Sequence, residues 1–270
     1  MSYIETKKRN KAQISERRAD KVRNRLNIEF KDSFQVVPVN RHELLEKVHN
    51  IRYEVFSKEL CYFDEKKFPN HYEVDEHDQV SQQCLIKSKS KDLYVGCVRL
   101  VSGMRNGQRN RLPFESYYGD NHFCSEVVDI KELNPSSYGE ISRAAVISTD
   151  RSSSLVGFGL YLASAVMGLN SGYERVFCMM EPRLARRLRI YGINFTQIAP
   201  IVEKKDKPAA YKRAAYQITR KELLEGVPSE VSTLIEEIRN SLESPMYGSL
   251  LRKEQLPMTN KTRIDNYEYV

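Results

Sequence analysis

The 270-residue chain contains no tryptophan, and its five cysteines (61, 84, 97, 124 and 178) form no C-x-x-C pair. An odd count of separated thiols suits a reducing compartment and excludes a disulfide-stapled secreted scaffold. His71 and His77 are the closest histidines, and no cysteine stands at ligand spacing beside them, so no metal site is expected. The longest apolar stretch, around Leu155 to Leu169, is interrupted by Ser and Gly and is too short to span a bilayer. The N-terminal MSYIETKKRNK has charges but no apolar core, so it is no secretory signal, and a cytoplasmic location is expected. Internal repeats are also lacking. With 40% hydrophobic and 29% charged residues, neither a disordered nor a collagen-like chain fits.

Positive charge is abundant but uneven. Residues 1–28 hold nine Lys and Arg against Glu5, Glu16 and Asp20, which is nearly the whole net charge of +7. No Gly or Pro interrupts this stretch, and it has few large apolar residues. It reads as a basic arm over 1–33, helical or partly disordered. A solvated extension, an acidic partner, peripheral contact with an anionic membrane or a nucleic acid all suit that charge. Aromatic interleaving is nearly absent, so single-strand stacking has little support.

The remainder alternates strand and helix signals over 34–226, and a charged helix and polar tail follow over 227–270. FQVVPV (34–39) reads as a strand. The apolar positions 44, 45, 48, 51, 55 and 56 give residues 41–60 the period of an amphipathic helix. A polar loop over 62–78 is long enough to be functional. QQCLIKS and DLYVGCVRLV form a hairpin, VVDIKEL and GEISRAAVI are strand candidates, and 155–171 is a helix rich in small residues. RVFCMM is a strand, PRLARRLRIYG a short helix opened by Pro182 and closed by Gly192, and NFTQIAPIV and AAYKRAAYQI are further strands. This order predicts an α/β fold with a central mixed, mostly antiparallel sheet flanked by helices.

Four polar groupings stand out. Arg52 and Phe56 are four apart on one helix face, Glu73, Asp75 and Asp78 crowd the loop, Arg99 lies in GCVRL, and Glu140, Ser142 and Arg143 form E-I-S-R. Singly, each reads as a surface charge. Three acids within six residues repel one another unless arginines compensate them, and Arg52, Arg99 and Arg143 are available. Such a network could orient an amine or a carboxylate, since guanidinium binds carboxylate bidentately.

These motifs, R-x-x-x-F at 52–56, the aromatic Tyr62, E-x-D-x-x-D at 73–78, G-x-x-R-L at 96–100 and E-x-S-R at 140–143, resemble the acyl-homoserine-lactone synthase pattern. The segment MEPRLARRLRIYGINFTQIAP (180–200) is similar to the long-chain N-acyl amino acid synthases and the PEP-CTERM/exosortase-associated acyltransferases. The resemblance implies a GNAT-like fold and transfer of a fatty acyl group from acyl-carrier protein to the amine of an amino acid or related small amine. Where lactone synthases carry Trp this chain has Tyr62 and Phe63, a departure that favours an amino acid over S-adenosylmethionine. RSSSLVGFG (151–159) only approximates a pyrophosphate loop, so carrier-bound phosphopantetheine is preferred to coenzyme A as donor, with no bound cofactor.

By the same resemblance Glu140 is the general base, directly or through a water, with Ser142 beside it and Arg143 holding Glu140 or the acyl carbonyl. Backbone N–H groups of Ala144, Ala145 and Val146 would donate to the oxyanion. Arg99, Glu73, Asp75 and Asp78 would build the acceptor pocket, Arg52 would tether its acidic loop, and Phe56 and Tyr62 would close its apolar side. Arg183, Arg186 and Arg187 share one helix side and either form a solvated face or dock an acidic carrier protein. The alternatives are a lactone-type autoinducer synthase using S-adenosylmethionine, a silent relative sensing acyl-carrier protein, or a nucleic-acid module. The last leaves the acidic cluster unexplained, because acids repel phosphates.

Overall fold

The computed structural model describes residues 3–119, 126–147, 154–204 and 211–243. In chain order the elements begin with α1 (Tyr3–Ser33), β1 (Phe34–Pro38) and α2 (His42–Arg52). A hairpin of β2 (Ser81–Ser88) and β3 (Leu93–Ser102) follows, then the short pair β4 (Met104–Arg105) and β5 (Gln108–Arg109), and α3 (Pro113–Tyr118). Next come β6 (Tyr138–Val146), α4 (Ser154–Asn170), β7 (Arg175–Met180), α5 (Pro182–Leu188), β8 (Thr196–Gln197) and β9 (Val202–Lys204). β10 (Tyr211–Thr219), α6 (Arg220–Gly226) and α7 (Ser229–Leu242) complete the described chain.

One sheet runs β1-β2-β3-β6-β7-β10-β8, with β9 beside β10. Its pairings are antiparallel except for β6 with β7. α1, α4 and α7 pack on one face, where Leu26, Phe30, Leu160 and Leu234 share a core with Val98, Leu100, Val176 and Cys178. α2 covers part of the other face through Leu44, Val48 and Ile51, and Phe114 of α3 covers the rest against Phe177 and Ala215. Gly159 is where α1 meets α4: a Cβ there would stand 2.0 Å from the Phe30 ring, so only glycine lets the two helices close.

The basic N-terminal stretch is helical, and its second half is docked. Arg23 is buried and pairs with Glu16, Asp20 and Glu230, while Asn27 donates to the Glu230 carbonyl at 2.8 Å. α1 and α7 therefore contribute to the same core as the sheet rather than standing apart from it. Two expected elements differ. VVDIKEL holds a single 3-10 turn at Ile130–Glu132 in place of a strand, with Asp129 capping the turn through Lys131 N–H. The amphipathic run over 41–60 leaves α-geometry after Arg52 and finishes as a π-helical segment, Tyr53–Glu59. Among the described residues no helix is long and apolar enough to cross a membrane.

Candidate active site

The site is made by two irregularities in β6. The pairing with β3 slips, so that Cys97 faces Ala145 while Arg99 faces Ser142, and Arg143 takes a left-handed φ of 53°. This bulge turns the Arg143 side chain to the α2 side, where strict alternation would have sent it to the opposite face. On its other edge β6 pairs with β7 only from Tyr138 to Ile141. Beyond Ile141 the two parallel strands separate, and residues 142–146 pair with β3 alone.

The separation opens a cavity of about 720 Å³ that passes through the sheet. On the α2 side it is a polar chamber walled by Glu73, Asp75, Ser142, Arg143 and the rings of Phe56, Tyr62, Phe63 and Phe68. On the α4 side it becomes an apolar gallery lined by Ala165, Val176, Cys178, Met180, Leu188, Ile193, Phe195, Ile218 and Leu223. Val176 to Met180 spans four strand steps, about 13 Å at ~3.3 Å per residue.

Behind the chamber lies an ion network of three arginines and three carboxylates. Arg52 and Arg99 are fully buried, Glu73 nearly so, and Asp78 is buried with a small exposed edge. Arg52 donates to Glu73 and, at 2.6 Å, to Asp78. Arg99 donates to Asp75, to Asp78 at 2.9 Å, and through Nε to Ser142 Oγ at 3.1 Å. Arg143 reaches Glu73 at 3.1 Å and Asp75 at 2.9 Å. The local fold sets this up: Asp75 and Asp78 cap one 3-10 turn reciprocally, Asp75 accepting from His77 N–H and Asp78 from Asp75 N–H. Burial works against ionising these acids, but Arg52 and Arg99 outweigh it and hold Asp78 down to about 2. The arginines likewise overcome burial at Glu73 and Asp75, and both stay below the usual carboxylate range.

Glu140 is different. It is 1% exposed, and its Oε2 accepts from Phe114 N–H at 2.9 Å. Burial pushes its carboxyl up to about 8, against the pull of that N–H and of Arg99. It lies one residue behind the point where β6 and β7 part.

The structure brings some of the expected residues to the cavity wall and sets others behind it. Phe56, Tyr62, Glu73, Asp75, Ser142, Arg143, Ala144, Arg183 and Arg187 line the cavity. Arg52, Asp78, Arg99, Glu140, Ala145 and Val146 are not among its lining residues and stand in the layers behind. Arg99 thus orients Asp75 and Ser142 where it was expected to wall the acceptor pocket itself. Arg143 was expected to hold Glu140 or the acyl carbonyl, and its hydrogen bonds go to Glu73 and Asp75. Arg183, Arg186 and Arg187 are exposed on α5, and Arg183 pairs with Glu181. The RSSSLVGFG segment falls partly outside the described residues, since 148–153 are not among them. Unforeseen members are Phe63, Phe68, His77, Tyr161, Cys178 and Arg213. The alternation of AAYKRAAYQI could have placed Arg213 on the chamber side. Burial holds the Cys97 thiol up to about 12 and that of Cys178 well above the ordinary value, so neither is a ready nucleophile.

The antiparallel-then-parallel sheet, the bulge and the parting strands define the GNAT fold. The acetyltransferase (GNAT) domain model matches residues 51–158, from the end of α2 into α4, so the chain carries an acyltransferase domain of that class. Among solved structures it is similar to a CoA-dependent acyl-homoserine lactone synthase, BjaI, with SAM and isopentyl-CoA. Identity is 21%, coverage is 73% of this chain and 90% of that one, and the TM-score is 0.51. TofI, in a ternary complex with an inhibitor and MTA, is 17% identical over 72% of this chain and 95% of its own, with TM-score 0.50. FeeM, an N-acyl amino acid synthase from uncultured soil microbes, is 13% identical over 72% and 94%, with TM-score 0.49. No curated protein matches the sequence. The resemblance carried by the motifs at 52–143 is thereby met at the level of fold.

Proposed function

We propose that the protein is an N-acyltransferase that moves a fatty acyl group from the thioester of acyl-carrier protein to the amine of an amino acid or related small amine. The observation that carries this reading is the continuous cavity, which joins an apolar gallery on one face of the sheet to a charged chamber on the other. A thioester carbonyl at the parting of β6 and β7 would have its alkyl chain in the gallery and an amine in the chamber. That arrangement holds two reactants in line, which is the larger part of such a catalyst's task.

The chemistry balances without a nucleophilic side chain. The ammonium gives up one proton to solvent, the amine nitrogen bonds to the thioester carbon, and the C–S bond breaks as the tetrahedral intermediate collapses. The amine's second proton goes to the base, which passes it to the leaving thiolate, so that amide, thiol and one solvent proton result. Glu140 is the base we assign, acting through a water because its carboxylate is not itself among the lining groups. Of the three residues expected to donate to the oxyanion, Ala144 lines the cavity beside the parting of β6 and β7, and its backbone is the donor we assign. Ser142, held by Arg99, and Arg143 border the same point.

A gallery of about 13 Å takes roughly ten extended methylenes, and each one buried contributes about 0.8 kcal/mol. A donor chain of about twelve carbons or more is therefore expected to be preferred. Ala165→Phe would narrow the gallery and is expected to move the optimum to shorter chains. Amide formation from a C8–C16 thioester series, followed by mass spectrometry, checks this. An unchanged optimum in that variant would put the acyl chain elsewhere.

Arg183 and Arg187 line the cavity and, with Arg186 beside them, are exposed on α5, a positive face suited to an acidic carrier. Reversing all three to Glu is expected to weaken carrier binding at least tenfold, mostly through association rate and most at low salt. The charge control is removal of residues 1–15 only, because Arg23, Leu26 and Phe30 belong to the folded core. Surface plasmon resonance with both variants decides the matter. A larger loss from removing residues 1–15 would make the basic arm the docking element.

A further inference from the structure

We infer that the Tyr161 hydroxyl holds the first amide of the donor's pantetheine arm, so that this residue selects pantetheine thioesters over thioesters without that amide. This rests on the N-acyl transfer reading, in which the thioester carbonyl stands at the parting of β6 and β7. It adds how the donor is recognised on the other side of its sulfur.

Tyr161 lines the cavity from α4, on the same helix face as Ser164 and Ala165. It is half-buried, and among the described residues its hydroxyl has no hydrogen-bond partner. The other hydroxyl on that face is satisfied, because Ser164 Oγ donates to the Leu160 carbonyl at 2.7 Å. Burial, with Cys178 next, holds the Tyr161 phenol above its ordinary value. It is therefore a neutral hydroxyl, able both to give and to take a hydrogen bond.

The packing of α4 on β7 fixes the height of that hydroxyl. β6 and β7 are parallel and α4 joins them, so α4 runs back antiparallel to β7. The two meet closely at Gly168, where a Cβ would stand 2.8 Å from Val176 Cγ2. From Gly168 to Tyr161 the helix rises about 10 Å. Three strand steps cover the same distance at ~3.3 Å each, which sets Tyr161 level with Met179. That is one residue past Cys178, the last of β7 to pair with β6. The ring leans further the same way, since a Cβ at Gly157 would stand 3.8 Å from Tyr161 Cε2. The hydroxyl is thereby carried past Met180, where the gallery ends, and Arg187 and Glu181 of the following segment act on it electrostatically.

With the acyl chain in the gallery and the carbonyl at the parting, the donor presents its sulfur and then its arm at this height. The first hydrogen-bonding group of a pantetheine arm is an amide two carbons from the sulfur. A sulfur accepts hydrogen bonds poorly and an amide well, so the amide is the partner that suits a free phenol.

The test places one C12 acyl chain on four thiols: acyl-carrier protein, coenzyme A, N-acetylcysteamine and 1-pentanethiol. N-Acetylcysteamine keeps the first amide alone, and pentanethiol matches it in length with none. Each donor is given to the full-length protein and its Tyr161→Phe variant with one amino acid. Phenylalanine keeps the ring and removes only the hydroxyl. The wild type is expected to prefer N-acetylcysteamine to pentanethiol about tenfold in kcat/KM. Tyr161→Phe is expected to lower the three amide-bearing donors about tenfold, through KM, and the pentanethiol thioester at most about twofold. Equal losses on all four donors would put the hydroxyl on the sulfur or the carbonyl and overturn the inference. A loss confined to the carrier-protein or the coenzyme A donor would assign Tyr161 to the protein or the nucleotide, and would overturn it too. So would equal use of N-acetylcysteamine and pentanethiol by the wild type, which would leave N-acyl transfer itself standing. Amide formation from none of the donors would remove the transfer reading and this inference with it.

Discussion

Glu140→Gln is expected to cut acyl transfer about 10²-fold or more while making the protein more stable at neutral pH. Both effects come from one cause. Burial keeps the Glu140 carboxyl up at about 8, so ionising it at pH 7 to 9 is resisted by the fold. Its folded-state value lies above the ordinary one near 4.5, so the stability of the protonated form is complete below about 4.5 and is lost as pH rises through 8. Glutamine keeps an oxygen for Phe114 N–H and never ionises. On the linkage relation the gain is on the order of 3 kcal/mol at pH 7, several degrees in Tm. Activity in the wild type should climb with pH toward a plateau above about 8, and that limb should vanish in the variant while the amine's own limb persists. Melting curves and pH–rate profiles of the two proteins check it. Near-normal turnover in Glu140→Gln would take Glu140 out of the mechanism.

The second large effect concerns Arg52, which is fully buried and is not among the residues that line the cavity. Arg52→Ala leaves Glu73 buried with Arg143 alone and Asp78 with Arg99 alone and is expected to cost about 3–5 kcal/mol at pH 7. The pH dependence distinguishes this from loss of packing. The depressed carboxylates stabilise the wild type above their unfolded values near 4, and that contribution is lost as pH falls through their folded values, about 2 for Asp78. The gap between wild type and variant should therefore narrow from pH 7 to about pH 3. Urea denaturation at both pH values measures it, and a gap independent of pH would mean that Arg52 acts through shape alone. Arg52→Lys should recover only part of the loss, since one ammonium cannot serve two carboxylates with a fixed fork.

Much of this architecture could be read from residue order. The hairpin of β2 and β3, the β6 motif, α4, β7 and the Pro182-to-Gly192 helix all follow from period and punctuation. The arginine–carboxylate network follows from charge arithmetic, because three acids in six residues call for three cations. Depth was not readable. E-I-S-R by itself does not say that Glu140 sits behind the cavity while Arg143 is brought round to its wall, because the bulge at Arg143 is a tertiary effect of the slipped β3–β6 register. The docked half of α1 was hidden for another reason: Leu26 and Phe30 are too few to give a helical period, and Arg23 is buried only because Glu16, Asp20 and Glu230 surround it. Arg213 was invisible because its neighbour in space, Tyr62, lies about 150 residues away in sequence.

The central claim is that the cavity through the sheet couples a thioester's acyl chain to an amine. The most direct measurement follows both products of one reaction, with purified protein, a long-chain acyl-carrier-protein thioester and an amino acid. One N-acyl amino acid, identified by mass, is expected for each carrier thiol released. Thiol release accompanied by free fatty acid, or no release at all, would contradict it.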